Sequence, residues 1–396
     1  MLTLDKVFDA QQVLKNIVRE TNVVRAYGIA DECELYLKPE NLQITGSFKV
    51  RGSAYKIAML TEEEKQKGVI ACSAGNHAQG VALAATKNGI KSLICLPDTA
   101  PISKVEATKG FGAEVCLVEG CYDDAYQKAL ELRDSEGYTF VHPFDDENVI
   151  AGQGTIALEI LNDLDNIDAI VVPIGGGGLI SGIAYTAKQI RPSVKVYGVQ
   201  VAGAPSMYNS VKDGEIKCLA SVSTIADGIA VKKPGENTYA LVKEYVDEIV
   251  LVSDDEVASA ILALIEKQKM IAEGAGATAV AAVMAGKLDL KGKRVVAVVS
   301  GGNIDVTSLS RVIDRGLLNS GRSTSLLIEL IDKPGQLKEI SRIIADCGGN
   351  VTGVHYEKGN TESVNGCFLR IEMETRDFKH VNLITKTLKK EGFKLV

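Results

Sequence analysis

Asp168-Ala169-Ile170-Val171-Val172-Pro173-Ile174-Gly175-Gly176-Gly177-Gly178-Leu179 joins an apolar run to four glycines and then to a segment with helical character reaching residue 190. A short, continuous apolar run of this kind reads as a strand buried on both faces, as in parallel sheets. The glycines fall where strand passes to helix. There the first N–H groups of the helix lack partners and the helix dipole favours an anion. Residues without side chains let the main chain approach a phosphate closely. A tight structural turn is the plainer reading, but it rarely needs four glycines in succession.

The same alternation continues on both sides. A helix and an extended entry are expected over 7–25, and strands at 33–38, 68–73, 92–97, 114–118 and 139–144. Helices are expected from Val50, through Asn88, at 103–110, at 122–135 and from Val149 to about Leu161. Beyond the glycines come a strand at 195–201, a polar region containing 223–230, helices at 254–269 and 276–285, and a strand at 294–299. This order predicts an α/β protein with parallel sheets covered by helices on both faces. Gly321 to Ser325 read as a linker. The tail then gives strand, helix, strand, strand, helix, strand, the ferredoxin-like order βαββαβ. Its helices carry Leu337, Ile340, Ile343 and Ile344, and Val381, Ile384 and Leu388.

The chain has 396 residues, 46% of them hydrophobic, and a net charge of −7. That length accommodates two or three domains. No basic cluster suits nucleic acid. Eight cysteines, at 33, 72, 95, 116, 121, 218, 347 and 367, include no Cys-x-x-Cys pair and lie mostly in apolar runs. They read as reduced thiols of a cytoplasmic protein, and the four histidines add no metal-ligand spacing. No metal is expected. Residues 1–12 lack the apolar core of a signal peptide, and no apolar run reaches the ~18 residues of a membrane span.

Which phosphate compound would the glycines hold? A Gly-x-Gly-x-x-Gly fingerprint counted from Gly175 or Gly176 puts Ile180 or Ser181 at its third glycine. The following strand ends at Gln200 where an acidic ribose ligand would be wanted, so a dinucleotide fits poorly. No Gly-Lys-Ser/Thr supports a nucleoside triphosphate. A smaller phosphorylated cofactor fits better. Lys49 lies in Ile44-Thr45-Gly46-Ser47-Phe48-Lys49-Val50-Arg51-Gly52, behind a turn of small residues and ahead of an apolar run. Desolvation there lowers a lysine pKa, and a neutral amine condenses with an aldehyde. Lysine plus phosphate cradle points to pyridoxal 5′-phosphate, PLP. Ser300, at a strand end, is either the partner of the cofactor ring nitrogen or a polar turn residue. Asn76 is either a donor to the ring hydroxyl or a helix cap. Ser73 and the N–H groups of Gly75 to His77 form an anion site suited to a substrate carboxylate. His77 itself is a candidate base, though a structural histidine is the commoner case.

The stretches 44–52, 73–80, 175–178 and 300–303 together resemble the threonine dehydratases (threonine ammonia-lyases), PLP enzymes of the tryptophan-synthase-like fold type II. Residues 151–155 and 226–229 also look like family segments, and the resemblance covers about residues 5–315. It implies a catalytic domain over 1–320, with a small subdomain of about 41–144 inserted in the large one. It also implies that Lys49 forms the Schiff base and abstracts the proton, Phe48 lies beside the ring and Asn76 bonds its hydroxyl. Gly175, Gly176, Gly177 and Gly178 would hold the phosphate, and Ser300 would face the pyridine nitrogen. The implied reaction is β-elimination from L-threonine, giving 2-oxobutanoate and ammonia, with L-serine as a possible second substrate. Serine racemases of the family carry a serine where this chain has Ala74, which favours elimination over racemisation. A serine-preferring dehydratase, a racemase and a non-catalytic amino-acid sensor are the alternatives.

The tail, 325–396, resembles an ACT domain, a regulatory module that often binds amino acids. An effector pocket is expected where the turn bearing Asp332 and Gly335 meets Gly349 and Asn350. A homo-oligomer, dimer or tetramer, is expected.

Overall fold

In the computed structural model the described residues are 2–357 and 366–396. They form fourteen strands: β1 (Val24–Arg25), β2 (Glu34–Pro39), β3 (Val69–Cys72), β4 (Ser92–Pro97), β5 (Glu114–Val118), β6 (Thr139–Phe140), β7 (Ala169–Pro173), β8 (Lys195–Val201), β9 (Glu248–Val252), β10 (Arg294–Val299), β11 (Ser323–Ile331), β12 (Asn350–Glu357), β13 (Gly366–Glu374) and β14 (Lys394–Leu395). The chain divides into two compact units, Met1–Leu309 and Ser310–Val396.

The first unit holds two sheets. The larger runs β1-β2-β10-β7-β8-β9, all parallel except the β1–β2 pair. The smaller runs β5-β4-β3-β6 and is wholly parallel. Strands β3 and β7 are buried at every position, as their uniformly apolar sequences require when helices cover both faces. Loops at three strand ends matter for the site. Ser73 to Gly75 lead from β3 into helix Asn76–Lys87, and the glycine run leads from β7 into helix Gly178–Ile190. Gly301 to Asp305 follow β10. Ligand groups collect at such carboxyl ends in open parallel sheets.

Several elements differ from the sequence expectation. The polar region after 201 contains helices Ser206–Asp213 and Glu236–Tyr245 and the edge strand β9. The helix expected over 254–269 is α-helical only over Asp254–Ala263; its last turn, Leu264–Gln268, widens to a π-helix and closes on left-handed Lys269. The expected linker at 321–325 is largely strand: Ser323, Thr324 and Ser325 pair with Glu374, Met373 and Glu372. Serine and threonine read as linker residues by composition, yet an extended backbone beside an open sheet edge gains ladder hydrogen bonds.

The second unit is an antiparallel sheet ordered β12-β13-β11-β14, with helices Gln336–Asp346 and Phe378–Lys390. Ile328, Ile340, Ile344, Leu369, Ile371 and Ile384 are fully buried or nearly so and form its core. The strand order is ferredoxin-like, as the tail's periodicity predicts. Asp332 and Gly335 precede helix Gln336–Asp346, whereas Gly349 and Asn350 follow it. Eleven residues at about 1.5 Å per residue put about 16 Å of helix between the two groups. The expected single pocket made from both ends of that helix is therefore corrected.

Candidate active site

Lys49 is the first residue of helix Lys49–Ala58. Its Nζ donates to the carbonyl of Pro143 at 2.8 Å and lies 5.3 Å from the centre of the Phe48 ring. Burial lowers its pKa to about 8, with the carboxyl of Glu273 partly opposing that shift. An amine in this condition is substantially neutral at about pH 8, as nucleophilic and base chemistry require.

The glycine run reaches the same place from the other side. Phe144, next to the Pro143 carbonyl, packs on it: a Cβ on Gly176 would lie 2.4 Å from the Phe144 ring, and one on Gly178 would lie 2.9 Å from the Phe144 backbone. Gly177 is left-handed, and a Cβ there would meet Met207 and Thr238 at under 3 Å. The missing side chains are thus demanded by the protein behind the loop, a reason that local sequence does not reveal. The loop is fastened by Thr238, whose hydroxyl donates to the Gly176 carbonyl at 2.6 Å. The N–H groups at the start of helix Gly178–Ile190 lack carbonyl partners within their own helix and offer an anion site. His142 holds the intervening segment. Its Nδ1 accepts from the N–H groups of Phe144 and Asp145, and its ring stands edge-on to Phe144.

Three further loops are knitted together. Phe48 N–H donates to the Ser300 carbonyl at 3.1 Å, and Gly302 N–H donates to the Gly46 carbonyl at 2.9 Å. Asn303 Nδ2 donates to the Thr45 carbonyl (2.7 Å) and to Asn76 Oδ1 (2.8 Å). Gly46 is left-handed at φ +70°, and a Cβ there would fall 2.2 Å from Asn303 Oδ1. Ser300 is buried, and its hydroxyl makes one long contact, 3.4 Å to the Ala275 carbonyl. That weak tie leaves it able to turn toward another partner.

Asn76 does not cap its helix. Gly75 is the N-cap, and the Asn76 side chain instead accepts from Asn303 and donates to Glu273 Oε1 at 2.6 Å. Ser73 Oγ accepts from Gly75 N–H at 3.1 Å, so that N–H is engaged within the loop. The first-turn N–H groups of Asn76 and His77 remain as anion donors. The His77 side chain is turned inward. Its Nε2 donates to the Val141 carbonyl at 2.8 Å, and burial lowers its pKa to about 3. A neutral histidine held this way fixes the helix to the neighbouring chain segment and is not placed to act as a base.

Glu273 and Asn303 join the site without having been singled out from the sequence, apart from the inclusion of Asn303 in the 300–303 stretch. Glu273 is 5% exposed. Burial pushes its pKa up to about 7; Asp227 adds to the rise, and the Asn76 hydrogen bond opposes it.

Together these features define a site built at the carboxyl ends of parallel strands, with a buried amine opposite an anion-binding helix start. A family model described as pyridoxal-phosphate dependent enzyme matches residues 14–301, and the chain belongs to that family. It is 49% identical to the L-threonine ammonia-lyase of Thermotoga maritima, over 100% of this chain and 99% of that one. It is 43% identical to the protein of the same name from Geobacter sulfurreducens, over 99% and 98% of the two chains. Among solved structures, the processed form of threonine deaminase isoform 2 from Solanum lycopersicum superposes with a TM-score of 0.75 at 38% identity, covering 79% of this chain and 94% of that one. Maize serine racemase gives 0.76 at 34% identity, covering 80% and 98%. The fold is the tryptophan-synthase-like one expected from the sequence.

The residues present fit PLP. The amine is buried and shifted toward its neutral form, an anion-binding helix start faces the same segment, and Ser300 and Asn76 bring polar groups to the adjoining loops. Among the described residues no three or more histidine, cysteine, aspartate or glutamate side chains come together as a metal-binding group. No described helix is long and apolar enough to cross a membrane.

Proposed function

We propose that this chain deaminates L-threonine to 2-oxobutanoate and ammonia by β-elimination, with Lys49 as the reactive lysine. The observation that carries the reading is the Lys49 amine, buried, held by the Pro143 carbonyl and shifted to a pKa of about 8. PLP, when bound, supplies an electron sink for the charge that develops at the substrate Cα. Gly175 to Gly178 and the helix behind them would bind its phosphate, and Phe48 would lie beside its ring. Ser300 would face the ring nitrogen; a hydroxyl has too high a pKa to keep that nitrogen protonated as a carboxylate would. The substrate carboxylate would meet the N–H groups of Asn76 and His77 and the hydroxyl of Ser73. Neutral Lys49 Nζ would accept the Cα hydrogen as a proton, and the β-hydroxyl would leave protonated, as water, which hydrolysis of the product later takes up again. On the opposite face Ala74, at the position where the family's serine racemases carry a serine, would offer no titratable hydrogen. Elimination is therefore favoured over racemisation. L-serine is a second substrate in this reading.

Two domains are proposed: a catalytic one over 1–320 and an ACT-like regulatory one over 325–396. The ferredoxin-like strand order supports the second, as does a cavity lined by Asp332, Gly335, Leu337, Val354, Tyr356 and Leu369. That cavity is the site proposed for an amino-acid effector. The protein is proposed to be a cytoplasmic homo-oligomer; Val354 and Tyr356 on the tail are exposed apolar side chains that a second copy could cover.

The test is an assay of the purified PLP-loaded protein on L-threonine and L-serine, with the oxo acids identified by mass. The expected products are 2-oxobutanoate from threonine and pyruvate from serine, with little D-serine. Failure to form 2-oxobutanoate would overturn the reading.

A further inference from the structure

Glu273 occupies a position whose usual work it does not do. It is the N-cap of helix Gly274–Met284, yet its side chain makes no capping hydrogen bond. Serine, threonine, aspartate and asparagine are preferred there because their short side chains reach the helix N–H groups. The Glu273 carboxyl turns the other way, toward Asn76 Nδ2 at 2.6 Å. Room for it is provided at Gly301, where a Cβ would sit 2.4 Å from Glu273 Oε1. The Glu273 backbone is fixed to the same loop, its N–H donating to the Gly301 carbonyl at 3.1 Å.

The carboxyl is nine-tenths buried or more, and the nearby cations are engaged elsewhere. Lys104 is bound to Asp227 at 2.6 Å, and Lys49 Nζ donates to Pro143. A buried carboxyl without a basic partner in contact is costly and is rarely kept for stability alone. What it does here is orient an amide. Asn76 Oδ1 accepts from Asn303 Nδ2, and Asn76 Nδ2 gives one of its two hydrogens to Glu273. With both ends engaged the amide cannot flip, and its second N–H is left with a fixed direction. An amide free to flip would present its oxygen to a ligand oxygen for part of the time.

We propose that Glu273 is a positioning residue for PLP, acting through Asn76: it holds the Asn76 amide so that an N–H faces the cofactor ring hydroxyl. This rests on the PLP reading above.

The test measures how tightly PLP is held, from loss of the visible absorbance band when holoenzyme is diluted or dialysed. Glu273→Ala removes the acceptor and should weaken PLP retention about tenfold. Glu273→Gln keeps an acceptor oxygen at the same reach and should stay within about threefold of wild type. Glu273→Asp keeps the charge but withdraws the carboxylate by one methylene, and should resemble Ala. If Ala does not fold, the order of Gln above Asp carries the test. Asn76→Ala should weaken PLP by itself, and adding Glu273→Asp to it should then change little, because residues acting through one contact are not additive. The inference is overturned if Asp retains PLP better than Gln, or if the Asn76 and Glu273 effects multiply. If wild-type protein binds no PLP, the PLP reading itself fails, a result distinct from either.

Discussion

Arg51, two residues beyond Lys49, is fully buried, and its removal gives a stability change whose pH dependence can be worked out in advance. Its guanidinium grips Glu40 through Nε and Nη2, both at 2.8 Å, and Glu159 through Nη1 at 2.5 Å and Nη2 at 2.9 Å. Lys38 also binds Glu159, at 2.5 Å, and Thr21 donates to Glu40. Two cations face two carboxylates with almost no solvent. The cluster joins β2, the turn Glu40–Leu42, the helix that begins at Lys49 and helix Glu147–Asp163.

Arg51→Met keeps the bulk and leaves Glu40 buried beside no direct cation. Breaking a buried pair by removing one partner costs about 3–5 kcal/mol. For a large unit, at about 2 °C per kcal/mol, that is a fall in Tm of roughly 6–10 °C. The sign of the pH effect follows from Glu40. In the wild type, burial would raise its pKa, but Arg51, with smaller help from Lys38 and Thr21, holds it below the usual value. That contribution to stability is present above the unfolded pKa and lost as pH falls through the folded one. Without Arg51, burial is opposed only by Lys38 and the Thr21 hydroxyl, and the folded pKa rises above the unfolded one. The variant then loses further stability as pH rises from the ordinary glutamate range toward its new pKa, by about 1.4 kcal/mol for every tenfold gain in the proton affinity of Glu40 on folding. The gap between wild type and variant should therefore widen from about pH 5 to about pH 8. The chain has no tryptophan, so urea unfolding is followed by far-ultraviolet circular dichroism at both pH values, with PLP saturating. A loss under about 1 kcal/mol, or one equal at the two pH values, would refute the reasoning.

Three other outcomes are expected. Gly46→Ala forces Asn303 from its place and puts a side chain at φ +70°; PLP retention should fall about tenfold or more, read from the visible band, while unchanged retention would show that the 45–48 and 300–303 loops are not fixed by this contact. His77, held neutral by burial with a pKa of about 3, contributes stability above its unfolded pKa, near 6.5, that is lost as pH falls. The wild type should consequently lose roughly 3 kcal/mol more than His77→Gln between about pH 6.5 and about pH 4 in urea titrations, and parallel curves would contradict this. Protein ending after Ser320 should keep PLP and threonine deamination but lose any response to isoleucine or valine; a response of equal sensitivity would place the regulatory site outside the tail.

Much of this architecture was legible because its signals are local. A strand running into glycines and a helix, as at β7, needs no distant partner to be read, and the same holds for Ser73 to Gly75 after β3. The tail's two helices announce themselves by apolar residues at helical spacing. What was not legible depends on partners far along the chain. Asn76 and Glu273 are 197 residues apart, and Asn303 and Asn76 are 227 apart. Nothing near Glu273 marks it except that glutamate is an unusual N-cap. The same distance hid the reason for the glycines, because Phe144 presses on Gly176 from another element. Strand β9 was absorbed into a polar region: its five residues are mostly half-buried at the sheet edge, and a helix with charged residues precedes them. Proximity in sequence misled in one place, where Gly335 and Gly349 flank a helix and so lie at opposite ends of it.

The central claim is that Lys49 is the lysine to which PLP attaches. The direct measurement is reduction of the PLP-loaded protein with borohydride, followed by digestion and peptide mapping by mass spectrometry. The visible band should bleach, and a pyridoxyl group should be found on Lys49 alone among the lysines. A pyridoxyl group on any other lysine, or none on Lys49, would contradict the account.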